Sequence, residues 1–104
     1  MFHLDDLLAE RAASGRLYHE FLRRDSLSVG IYVLPAGGAD PQRPHDQDEV
    51  YYVLAGRARF RIADREHTVG PGALLFVEAG VEHRFDWIEE ELRLLVFFAP
   101  ALTG

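Results

Sequence analysis

The sequence predicts an all-β protein, a small barrel or sandwich, and three observations carry the prediction. Short runs of branched and aromatic residues recur along most of the chain, and Gly, Pro and Asp break them at near-regular intervals. From Arg57 to Ile62 the chain alternates strictly, with Arg57, Arg59 and Arg61 on one side and Ala58, Phe60 and Ile62 on the other. That period of two marks a strand with one solvated face. The 104 residues suffice for one modest core, so a single domain over 1–104 is expected.

The elements follow in order. Leu4, Leu7, Leu8 and Ala12 recur at helical spacing and Gly15 stands where a helix would stop, which predicts a short helix over about 3–14. From about 17 to 99 the character is that of a barrel. Leu17 to Leu22 and Leu27 to Leu34 read as strands, broken by Pro35, Gly37 and Gly38. A polar loop from Ala39 to Asp48 contains Pro41 and Pro44, and leads into a strand over Glu49 to Leu54 that Gly56 is expected to close. Arg57 to Ile62 is the next strand, followed by a turn at Ala63, Asp64 and Arg65 and a short strand to Val69. After Gly70, Pro71 and Gly72, three more strands are expected over Ala73 to Val77, His83 to Ile88 and Leu92 to Phe98, with Glu89, Glu90 and Glu91 forming a solvated turn. Val50 to Leu54, Ala73 to Val77 and Leu94 to Phe98 are apolar on both faces. An antiparallel strand facing water would alternate, so a second copy of the chain is expected to cover an outer face, giving a homodimer.

Bulk composition excludes several functions. A formal charge of −6, with eleven basic residues scattered among seventeen acidic ones, offers no basic surface for nucleic acid. No run approaches the roughly 18 apolar residues of a membrane span, and Asp5 and Asp6 interrupt any leader-like start, so a cytoplasmic protein is the expectation. Without cysteine, neither a disulfide nor a thiolate ligand is available. Any metal must be held by histidine, carboxylate or amide.

The residues that carry chemistry lie between Pro44 and Gly56 and around His83. His45, Gln47 and Glu49 share strand parity. Full extension would separate His45 from Glu49 by about 13 Å. Metal bonds of about 2 Å require far closer convergence, so the chain is expected to bend at Asp46, Gln47 and Asp48. Asp46 and Asp48 are read as turn residues bonding nearby backbone. His3, His19 and His67 lack an evident carboxylate partner and are read as surface or structural.

These two segments resemble the paired motifs of the cupin superfamily, G-x5-H-x-H-x3,4-E-x6-G and G-x5-P-x-G-x2-H-x3-N. Gly37, His45, Glu49 and Gly56 fall on the first, and Gly72, Gly80 and His83 on the second, with fifteen residues between Gly56 and Gly72. The resemblance implies a double-stranded β-helix, or jelly-roll barrel. Three positions depart from the motifs: Arg43 stands at the leading histidine, Glu78 at the proline and Trp87 at the asparagine. A second alignment makes His45 the leading histidine and Gln47 the substitute for the next. Family members commonly hold iron, manganese, nickel or zinc with three histidines and a glutamate. The resemblance therefore implies one divalent metal, of unspecified identity, on His45, Glu49 and His83, with Gln47 as a neutral oxygen ligand. The contrary expectation is a decayed site holding no metal.

Tyr51, Phe85 and Trp87 have the parity to face the same interior and are expected to form an aromatic wall around a small ligand. Three functions remain open. The first is a mononuclear-metal dioxygenase or isomerase acting on a small polar metabolite. The second is a non-catalytic binding or sensing module. The third is a metal-free enzyme transferring protons with a His–Asp pair, as epimerases of the superfamily do.

Overall fold

A computed structural model describes residues 1–103. One helix, α1 (Leu4–Ser14), precedes six strands: β1 (Tyr18–Arg24), β2 (Leu27–Leu34), β3 (Asp48–Ile62), β4 (Arg65–Val69), β5 (Leu74–Val77) and β6 (His83–Ala99). All strand pairs are antiparallel. The hydrogen-bonded order is β1-β2-β6-β3-β4, with β5 also on β3.

Two strands, β3 and β6, run through the whole barrel. The first half of β3 lies between β5 and the end of β6, pairing Glu49 with both Val77 and Phe98. Its second half lies between β4 and the start of β6, where Phe60 faces His67 and Phe85. The barrel is therefore two sheets joined by two long bent strands, and its interior is filled by Tyr51, Val53, Phe60, Phe85, Leu92 and Leu94, all essentially inaccessible.

This corrects two sequence expectations. Gly56 does not close a strand; it bends one. At φ 96° it takes a left-handed conformation, and a Cβ there would overlap the Glu91 carbonyl, so the backbones of β3 and β6 touch only because the side chain is missing. The register shifts three times between Val53 and Arg59. Glu89, Glu90 and Glu91 likewise form no turn but continue β6 across the bend, with Glu89 3.6 Å from Arg57. Sequence spacing suggested two strands in each case because a bulge breaks alternation as a turn does.

The helix follows the expectation closely. Gly15 at φ 70° caps it, its N–H donating to the Ala12 carbonyl. Leu7 is buried against Ile31 and Val33, so α1 covers the outer face of β1 and β2. The outer face of β5 and of the first half of β3 stays open, where Leu74, Phe76 and Tyr52 are exposed.

Candidate metal centre

His45, Glu49 and His83 converge inside the barrel from three different elements, with one ligand atom of each within 4.8 Å of the others. Glu49 projects from β3 and His83 from the first residue of β6, and both side chains are 1% exposed. His45 precedes β3, which begins only at Asp48; residues 46 and 47 form the expected bend. The turn before β6 is tied to this bend. The Gly80 N–H donates to the His45 carbonyl at 2.7 Å, and the Ala79 N–H to Asp48 Oδ1 at 2.9 Å.

The positions of the hydrogens follow from the partners. His83 Nδ1 lies 2.9 Å from the Val81 carbonyl, which can only accept, so Nδ1 carries the hydrogen and Nε2 turns its lone pair inward. Nε2 is 3.1 Å from the Tyr51 hydroxyl and 3.0 Å from Glu49 Oε1. The Tyr51 hydroxyl is also 2.8 Å from Gln42 Oε1, so its single hydrogen has two acceptors. Neither Glu49 oxygen has a hydrogen-bond partner, since the short line to His83 is off the hydrogen-bonding direction. One Tyr51 hydrogen thus serves both Gln42 Oε1 and His83 Nε2, and the buried Glu49 carboxylate beside them has no donor. Such an arrangement needs a positive centre, either a proton on His83 or a metal cation. The donor set fits a divalent transition metal.

Ionisation reflects the same crowding. Burial works against a charged His83, but Glu49 and the Val81 carbonyl outweigh it and the imidazole is shifted upward. His45 is shifted downward, by burial first and by His83. Burial, with Glu49 beside it, pushes Tyr51 well above the usual phenol range, so it stays protonated.

A cavity of about 270 Å³ opens beside the site, lined by Tyr18, Tyr32, Phe98 and Val96 together with His45, Glu49 and Gln42. The Tyr18 ring stands edge-on to Tyr32 and Phe98 and packs over bare backbone at Gly30, where a Cβ would overlap it. Its hydroxyl is buried without a partner. On the other side of His83 lies a polar cleft of about 350 Å³ reached by Gln42, Arg61 and Arg84.

The other expected site residues fare differently. Gln47 is buried; its amide nitrogen donates to the Thr103 hydroxyl at 2.8 Å, its amide oxygen has no hydrogen-bond partner, and the side chain lines neither cavity. Tyr51 and Phe85 pack with Phe60 in the core, at centroid distances of 5.0 Å from each other and 5.9 and 4.7 Å from Phe60, and only the Tyr51 hydroxyl reaches the site. Trp87 is 66% exposed at φ 48°, on the outer surface under the Arg59 guanidinium. Parity failed there because β6 gains extra residues opposite Arg57 to Arg59, and the bulge turns Trp87 outward. Tyr18, Tyr32 and Phe98 supply the aromatic wall instead. The residue that spacing missed altogether is Gln42. The motif puts weight on position 43, but an aspartate commonly bonds the residue two positions on, and Asp40 two residues before Gln42 was the available signal.

The cupin domain family matches residues 30–98, most of the barrel and all of this site. The chain belongs to the cupin superfamily. An uncharacterized protein of Streptomyces coelicolor is 50% identical to this cupin over 99 residues, covering 95% of this chain and 94% of that one. Dimethylsulfoniopropionate lyase DddQ of Ruegeria pomeroyi is 31% identical over 86 residues, 76% of this cupin but only 43% of the lyase. The lyase crystal structure superposes with a TM-score of 0.71, covering 85% of this chain and 49% of that one at 25% identity. A Thermus thermophilus protein of known structure matches along nearly its whole length, with a TM-score of 0.75, 25% identity and 97% of each chain covered.

Proposed function

We propose that this cupin is a mononuclear-metal protein that holds iron, manganese, nickel or zinc through His45, Glu49 and His83. It acts on a small molecule admitted through the aromatic chamber. The observation that carries the reading is the buried convergence of two imidazoles and a carboxylate whose oxygens make no hydrogen bond. Three protein ligands leave open positions for a substrate oxygen. The metal, when bound, supplies Lewis acidity toward a carbonyl, carboxylate or enol oxygen.

The chain's own groups do the rest. The Tyr51 hydroxyl, 3.1 Å from His83 and 2.8 Å from Gln42 Oε1, holds the proton nearest the ligand set. Tyr18 lines the same chamber, its hydroxyl buried against Gly30. No Arg or Lys lines the chamber, so it suits an apolar-bodied ligand rather than a phosphate ester. Proton transfer next to a polarised oxygen, as in isomerisation or elimination, uses these groups better than dioxygenation does. The similarity to a dimethylsulfoniopropionate lyase supports the elimination arm. A cytoplasmic homodimer remains part of the same proposal.

Elemental analysis of protein purified without chelator tests the reading. Near one equivalent of a transition metal is expected, with His83→Ala losing it while the far-UV circular dichroism persists. Wild type that stays metal-free after reconstitution, or His83→Ala that keeps full occupancy, would overturn it. Metal-loaded protein is then offered dimethylsulfoniopropionate, and separately assayed for dioxygen uptake.

A further inference from the structure

Building on that metal reading, we propose that Gln42 supplies the fourth protein ligand through its side-chain carbonyl oxygen, with Asp40 fixing the direction of the amide. The site lacks the histidine its family places at position 43, where this chain has an exposed Arg43. Gln42, one residue earlier, turns inward and reaches both the aromatic chamber and the polar cleft.

Its orientation is determined by chemistry. Gln42 Nε2 is 3.0 Å from Asp40 Oδ2, and a carboxylate can only accept, so the nitrogen faces Asp40 and the oxygen faces the site. Asp40 is itself held by the barrel. It is 7% exposed and accepts from the Tyr32 hydroxyl at 2.7 Å, the Phe85 N–H at 3.0 Å and the Gln42 N–H at 3.1 Å. These bonds anchor the loop to β2 and β6 at once.

Two of the donor spacings match neighbouring ligands of one metal, and the donor atoms of His45, Glu49 and His83, within 4.8 Å of one another, would draw in to complete the shell. Adjacent ligands at right angles, each about 2.1 Å from a metal, lie about 3 Å apart. His45 Nε2 donates to Gln42 Oε1 at 3.2 Å, a hydrogen that a bound metal would replace, and His83 Nε2 is 3.0 Å from Glu49 Oε1. The Tyr51 hydroxyl joins the two pairs, at 2.8 Å from Gln42 Oε1 and 3.1 Å from His83 Nε2. A neutral amide oxygen in place of a third imidazole keeps the charge of the ligand set and makes it harder, favouring oxygen-preferring metals.

The test uses Co²⁺ as probe, with affinity read by competition against a chelating dye and coordination read from the visible absorption. Gln42→Leu should weaken Co²⁺ binding by about tenfold or more and intensify the absorption bands as a ligand is lost. Gln42→Glu, which keeps an oxygen donor, should bind at least as tightly as wild type. Asp40→Asn should weaken binding too, because its amide opposes the Gln42 amide and reverses it. A Gln42→Leu protein with wild-type affinity and spectrum would overturn the assignment while leaving the three-ligand site intact. Wild type that fails to take Co²⁺ would overturn the metal reading itself, and this inference with it.

Discussion

At the scale of single residues, the site depends on which way neighbouring side chains point. Arg43 occupies the motif's histidine position but faces solvent, while Gln42 faces the donors. Arg43→His is therefore expected to leave Co²⁺ affinity within about twofold, since an exposed imidazole cannot reach the site. A clear gain in affinity would show that the loop turns to bring position 43 inward. Tyr18→Phe keeps the ring over Gly30 and removes only the unpaired hydroxyl. Deleting a buried, unsatisfied polar atom should cost little or even stabilise, by up to about 1 kcal/mol. A loss of several kcal/mol in urea unfolding would mean that the hydroxyl has a partner in solution. The sequence displayed His45, Glu49 and His83 because motif spacing survives in one dimension. It hid Gln42 and Tyr18, whose importance lies in what a bond or a vacancy places beside them.

At the scale of elements, the long strands β3 and β6 make the barrel and hold the site open. Each is bent, and the bends meet at Gly56 and Glu91. Gly56→Ala combines a left-handed backbone with a backbone overlap, and it should destabilise the fold by about 2–4 kcal/mol. A urea midpoint within error of wild type would refute the close approach. The bend also explains why alternation misleads. Arg57, Arg59 and Arg61 obey it and pair on the surface with Glu89, Glu66 and Asp86. Across the strand partner the extra residues of β6 shift the phase, so His83 and Phe85 point inward and Trp87 does not. A bulge of this kind is a relation between two strands and leaves no mark in either one alone.

At the scale of the molecule, one outer face remains apolar. Helix α1 covers the side over β2, but Leu74 is 70% and Phe76 60% exposed on β5, next to Tyr52. Beside them runs a groove of about 640 Å³ lined by Phe60, Ile62 and His67, larger than the chamber at the metal centre and lined by none of its donors. We propose that a second copy of the chain covers this face, as its two-sided apolar strands imply. Light scattering should give twice the chain mass for wild type, and the Phe76→Glu variant should run as a monomer with its circular dichroism unchanged. A wild-type monomer at micromolar concentration would reject that partner.

Composition and spacing carried the all-β class and the helix stop at Gly15, and the resemblance to the cupin motifs pointed to His45, Glu49 and His83, which the structure brings together. These are properties of local chemistry and of fixed intervals, which a linear chain records directly. Only the tertiary structure decided that Gln42 faces the donors, that Tyr18, Tyr32 and Phe98 line the chamber, and that Trp87 lies outside. Each of those outcomes depends on how two bent strands are phased against each other and on where Asp40 finds its partners across the barrel. Contacts between residues distant in sequence are set by packing, and no interval along the chain encodes them.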